Sequence, residues 1–233
     1  MLVMRPISRY SVHDIEASEF QDTIARSVEG HLYPYVVNIN GTPFTIFPET
    51  LNPVYAKAAM LLINNLGVSE GDVVLDPFTG CGADAIFSVM AGAGKAVAID
   101  KYIMPALCAR YNVHMAGLDN KVEVALGDLF DPLVEGEDEF DIIVENPPFR
   151  NKQITRQIHT AQMDPDYTTL HRFFNEYGNW LRPEGRIRMV FSDVGDLKGI
   201  KRMADDAWLS VAPVAEDRYA SEVAIEVLEM RRK

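Results

Sequence analysis

The chain predicts an α/β fold: a mainly parallel seven-stranded sheet with a C-terminal antiparallel hairpin, preceded by an N-terminal helix-and-hairpin extension. Three observations carry this reading. From Asp72 onward, short β-rich apolar runs alternate with helix-length segments, the pattern of a parallel sheet with crossover helices. The runs stop at sharp turn signals, Asp76-Pro-Phe-Thr-Gly-Cys-Gly82 after the first and Asn146-Pro-Pro-Phe149 after the fourth. The last run alternates cleanly, with Val223, Ile225 and Val227 on one face, close behind another short strand.

Residues 1–52 form the extension and 53–233 the main domain. A helix is expected over Val12 to Val28, where Ile15, Phe20, Ile24 and Val28 make an apolar stripe; its expected role is a brace, with a lid as the alternative. Tyr35-Val-Val-Asn-Ile39 and Phe44-Thr-Ile-Phe47 read as a hairpin closed by Asn40-Gly41. Asn52 caps a helix that begins at Pro53 and ends near Leu66, before Gly67. Strands follow at Asp72–Asp76, Lys95–Asp100, Val122–Leu126 and Phe140–Glu145, with helices over Gly82–Met90 and Met104–Ala116. A polar segment, Arg150 to Asp166, precedes a helix over Thr168–Leu181. Arg182-Pro-Glu-Gly185 turns into a strand over Arg186–Phe191. A helix over Leu197–Ala207 and a short strand over Leu209–Val214 complete the order.

The 233 residues carry a formal net charge of −12, which speaks against a broad phosphate-binding surface, since that needs clustered Lys and Arg. Two cysteines, Cys81 and Cys108, give no disulfide framework and make a reducing cytoplasm the expected compartment. No apolar run is long enough to span a bilayer, so no membrane partner is expected. The five histidines, His13, His31, His114, His159 and His171, lack ligand spacing, and no metal is expected.

The fourth strand is the informative one. Neither Pro147 nor Pro148 can donate to a ladder, so the strand ends at Asn146, held stiffly in extended backbone. The corner offers the Asn146 carboxamide and the Pro147 carbonyl as acceptors for a planar N–H group, with Phe149 to cover a π face. Upstream, the glycine turn lets a ligand approach backbone and a helix N-terminus. Asp100 ends the second strand about twenty residues beyond Gly80, placed to accept from both hydroxyls of a ribose. Gly127-Asp128 follows the third strand, where an acid can meet an adenine amino group. Asp76 discriminates between ligands: a carboxylate there repels a pyrophosphate but suits a cationic methionine group, so S-adenosylmethionine fits better than NAD.

These motifs, in this order over roughly Thr45 to Phe191, resemble class I S-adenosylmethionine-dependent amino-methyltransferases of the methyltransferase-small type. The Asn-Pro-Pro-aromatic group includes the glutamine methyltransferases of release factors and ribosomal proteins, and the adenine-N6 methyltransferases of RNA and DNA. The resemblance implies a Rossmann-like fold. It also implies that Asn146 and Pro147 grip the acceptor nitrogen and Phe149 stacks on the substrate. Cofactor contacts are implied at Asp76, Phe78, Thr79, Gly80, Gly82, Asp100, Lys101, Asp128, Leu129 and Asn146. Phe47-Pro-Glu-Thr50 resembles the segment that roofs the cofactor in the glutamine enzymes, without the arginine of their Pro-Arg-Pro-Glu-Thr form. Phe47, Arg150, Lys152 and Arg156 are the substrate candidates, the cations as a strip for an acidic or phosphorylated acceptor. Cys81 is expected to fill space, having no local base.

The expected activity is methyl transfer to an sp² nitrogen of a protein amide, such as glutamine, or of a small metabolite. Adenine-N6 methylation of RNA is the alternative, and a cofactor-binding scaffold subunit without catalysis a second. The sequence does not set the oligomeric state.

Overall fold

In a computed structural model, which describes residues 33–155, 157–219 and 223–233, two sheets form. The smaller is a hairpin of β1 (Tyr35–Ile39) and β2 (Thr42–Ile46). Asn40 and Gly41 both have positive φ, 48° and 87°, the mirror-image turn that matches strand twist in two-residue hairpins. The expected helix over 12–28 lies outside the described residues.

The larger sheet has seven strands: β3 (Val73–Asp76), β4 (Lys95–Asp100), β5 (Val122–Leu126), β6 (Phe140–Glu145), β7 (Leu181–Ser192), β8 (Leu209–Tyr219) and β9 (Val223–Arg232). Their spatial order is β5-β4-β3-β6-β7-β9-β8. The first five are parallel; β9 runs antiparallel between β7 and β8. The chain winds outward from β3 to β5, then crosses back to place β6 on the other side of β3. That reversal makes the gap between β3 and β6 the topological switch point, where ligands of open parallel sheets bind.

Among the described residues, five α-helices connect or flank the strands: α1 (Lys57–Ile63), α2 (Ala83–Met90), α3 (Ile103–Met115), α4 (Thr168–Glu176) and α5 (Leu197–Asp206). Among the described residues no helix is long and apolar enough to cross a membrane. The central strands are buried on both faces, with Val74, Leu75, Ala98, Ile99, Ile142 and Ile143 inaccessible, as sheet covered by helices on both sides requires.

The boundaries differ from the sequence reading at four places. The helix expected from Pro53 splits into a 3₁₀ turn, Pro53–Tyr55, and α1, with extended backbone at Ala56 between them. Asn52 does cap the first turn, its side chain accepting from the Val54 N–H. The helix expected to reach Leu181 stops at Glu176 and continues as a 3₁₀ turn, Tyr177–Asn179. Arg182-Pro-Glu-Gly185 is a bulge inside β7 rather than a turn before it, because Leu181 already pairs with Phe140 while Arg186 pairs with Ile142. β8 runs past Val214 to Tyr219; Pro213 is tolerated because β8 is an edge strand with a register shift between Pro213 and Ala215.

Candidate active site

The C-terminal ends of β3, β4, β5 and β6 open into one cleft of about 900 Å³, part of it open to solvent. At its centre is the turn from β3 to α2. Thr79 N–H donates to the Ile99 carbonyl (2.9 Å), pinning the turn to β4. Gly80 has φ +54°, and the place of its missing Cβ is open space on the cleft side. Gly82 has φ +86° and lies against α3, where a Cβ would stand 3.1 Å from the Ala109 backbone. Close approach of the turn to α3 is its function.

Asp100, at the end of β4, lines the cleft. One carboxylate oxygen accepts from the Gly80 N–H (3.0 Å), the other from the Tyr102 N–H (2.9 Å). Each oxygen retains a lone pair, so the oriented carboxylate can receive two further donors, as a ribose diol presents. Burial pushes its pKa up to about 6, against the pull of these N–H groups and of Lys101. Lys101 and Arg172 flank Asp128 at 4.0 and 3.9 Å.

Beneath the cleft the switch point is acidic. Asp76 is fully buried and accepts from the Thr79 hydroxyl (2.7 Å). Burial raises its pKa to about 7; the Thr79 hydroxyl and the Phe78 and Ala85 N–H groups oppose the rise, and the charge of Asp100 adds to it. Glu145, the last residue of β6, is also fully buried, and neither carboxyl oxygen has a hydrogen-bond partner. Burial and then the charge of Asp76 hold its pKa well up. Asp84, in the first turn of α2, is raised by the same two causes. Three such acids cannot all ionise in one dry place, which makes the floor a receptive one for a cationic group.

Of the positions expected from sequence, Phe78, Thr79, Gly80 and Asp100 line the cleft, together with Lys101, Asp128, Leu129 and Asn146. Asp76 and Gly82 lie behind that lining. Asn146 is half-buried, and Pro148 lines the cleft beside it. Phe149 is placed differently from the expected stacking ring. It is buried outside the cleft lining, edge-on to Phe191 at a centroid distance of 5.5 Å, where an aromatic gains from core packing. Phe47 packs on Tyr111 (5.5 Å), so the cleft rim is built by Glu49 and Leu51 of the same joint.

The expected cationic strip is interrupted at Arg150. Arg150 is only 2 % exposed; its N–H donates to the Gln162 carbonyl and its carbonyl accepts from the Asp164 N–H, so local backbone pairing draws it inward. Lys152 is exposed and borders a second hollow with Arg150, while Arg156 lies outside the described residues. Burial keeps the Cys81 thiol protonated, raised well above its ordinary value, and pushes Cys108 up to about 11.

Sequence reasoning missed Glu145 and Asp84, whose signal was a carboxylate inside a buried strand end and a helix first turn. It also missed Tyr102, Pro105 and Thr169, wall residues that only folding brings to the cleft.

A family model described as the methyltransferase small domain matches residues 54–206. None of the curated proteins matches the sequence. Among solved structures, Trm5 of Methanocaldococcus jannaschii in complex with adenosine superposes with TM-score 0.64 at 18% identity, over 87% of this chain and 57% of that one. The T. thermophilus 16S rRNA N2 G1207 methyltransferase RsmC, in complex with AdoMet and guanosine, gives 0.62 at 20%, over 86% and 50%. The B. subtilis m1A22 tRNA methyltransferase TrmK gives 0.55 at 16%, over 76% and 66%. At these identities the likeness is one of fold. The chain spans between 50% and 57% of the length of the first two.

Proposed function

We propose, on the premise that this chain belongs to the methyltransferase small domain family, that it transfers a methyl group from S-adenosylmethionine to a planar nitrogen. The observation that carries the reading is the convergence, in one cleft at the switch point, of an oriented Asp100, an open Gly80 and the half-buried Asn146. The residues fit this cofactor. Asp100 has lone pairs for a ribose diol, Asp128 faces the same cleft for an amino group, and Asp84 in the cleft lining, with the buried Asp76 and Glu145 behind it, suits a cationic amino-acid end. When bound, S-adenosylmethionine supplies a methyl group activated by its sulfonium charge.

The chain's own part is to place the acceptor. An amide or aryl-amine lone pair is delocalised, so the nitrogen is a weak nucleophile. N–H bonds to the Asn146 carboxamide and the Pro147 carbonyl orient that lone pair and offset positive charge as it develops. The acceptor class is a nucleobase of RNA, supported by the structural neighbours named as rRNA and tRNA methyltransferases. The Asn-Pro-Pro corner fits a side-chain amide equally well, and this is the second reading.

Calorimetry should show S-adenosylmethionine binding with no measurable NAD binding; the reverse result removes the proposal. Labelled donor, incubated with the protein and cell extract, should then place label in RNA. Label confined to protein would move the acceptor to the side-chain amide.

A further inference from the structure

The second hollow, about 600 Å³ and part of it open to solvent, adjoins the Asn-Pro-Pro corner. Pro148 lines the cleft and Arg150 lines the hollow, so two residues of chain, at most about 7 Å, separate the two sites. Gly195 closes the hollow against the same corner, since a Cβ there would collide with the Phe149 carbonyl oxygen.

The side chains of this hollow offer donors. Lys152 is exposed on its lining, and Arg150, always charged, is sealed into its wall. Asn151 Oδ1 accepts from the Asp166 N–H (2.8 Å), which leaves the Nδ2 hydrogens for another acceptor. The Tyr167 hydroxyl accepts from the Asp196 N–H (2.8 Å) and from the Asn151 N–H, so both lone pairs are used and its proton is left to donate. Asp196 is the one acid among the described lining residues, and both its oxygens are taken. One accepts from the Gly199 N–H (2.7 Å), the other from the Arg202 guanidinium (3.2 Å). Asp166 and Tyr167 both have positive φ, 54° and 51°, a conformation that non-glycine residues keep only where their surroundings impose it. A hollow whose donors remain and whose acceptors are spent is one for an anion.

We propose that this hollow holds a backbone phosphate of the acceptor RNA, one sugar away from the base that Asn146 grips. The inference rests on the RNA reading of the acceptor. A nucleobase brings a phosphate with it at a fixed remove, whereas a glutamine side chain brings no anion. With a net charge of −12 the chain repels RNA at long range, so phosphate contact has to be local and to involve few groups.

The test uses the full chain, saturating S-adenosylmethionine and single-stranded RNA of mixed sequence, with affinity read by fluorescence anisotropy over a salt series and methylation by label transfer to total cellular RNA. Lys152→Ala should lower the slope of log affinity against log salt by about 0.7, the loss of one phosphate contact on a single strand. It should also raise KM for RNA by about threefold, the scale of one exposed ion pair, with the loss falling on KM rather than kcat. Lys152→Arg should restore both values. Lys121→Ala, an exposed lysine at the start of β5, removes the same charge elsewhere and should leave the slope alone. Labelled RNA with one slope for the unaltered protein and Lys152→Ala overturns this inference while leaving the acceptor reading standing. So does an equal fall in slope for Lys121→Ala, which would be a general charge effect. No label in RNA at all removes the acceptor reading, and this inference with it.

Discussion

Asn146 owes its position to its neighbours more than to its own contacts. Two prolines follow it, both buried, so the backbone that presents its carboxamide has little freedom left. If the carboxamide acts on the acceptor, its effect grows as charge develops and must appear in kcat. Asn146→Ala should lower kcat by about a hundredfold, the scale of one preorganised polar partner, with cofactor affinity and melting temperature unchanged. Full activity in that variant would sink the mechanism. Gly195 makes a second test at this scale. Its missing side chain faces the Phe149 carbonyl, and a Cβ there would collide with that oxygen. Gly195→Ala should therefore cost about 1–3 kcal/mol through overpacking and displace the Asn-Pro-Pro corner. Wild-type stability and turnover together would show that the loop yields freely.

One side chain ties three elements. Asn112, buried on α3, donates to the carbonyls of Thr45 (2.9 Å) and Cys81 (2.9 Å) and accepts from the Thr45 N–H (2.8 Å). It therefore joins the β2 strand and the glycine turn to one helix, and sets where the hairpin sits against the cleft. Nothing in the spacing of the sequence separates this asparagine from a solvated one. Asn112→Ala leaves buried backbone groups unpaired and should cost about 2–4 kcal/mol in chemical denaturation. A loss below about 0.5 kcal/mol would mean that water replaces the amide without penalty.

Across the whole molecule, the buried acids make stability depend on pH. Asp76 binds its proton more tightly folded than unfolded, its pKa raised from 3.8 to about 7, and Asp100 is raised to about 6. Glu145 and Asp84 shift the same way. The folded state thus holds more protons through this window, and stability falls as pH rises from about 4 to about 7. Asp141 and Asp217 shift downward, so their contribution changes below 3.8, outside that window. Without cofactor the melting temperature should be higher at pH 5 than at pH 8, and Asp76→Asn should flatten the difference. A melting temperature that rises over this range would show that the acids are better solvated than their burial implies.

The sequence by itself determined the layered α/β fold, the order of its strands along the chain, and the turn chemistry that marks the ends of β3 and β6. These are local properties: period, glycine, proline and caps act within a few residues. It also singled out Asp100, Gly80 and Asn146, because strand-end residues of a parallel sheet necessarily share one edge. Only the tertiary structure decided which side chains face that edge. Phe149 turned to Phe191, Arg150 was drawn in by pairing with residues 162–164, and Glu145 was sealed beside Asp76. Each outcome depends on what another part of the chain brings close: β6 stands beside β3 only because the chain reverses after β5. Burial is a property of the assembled layers, and no single strand or helix contains it.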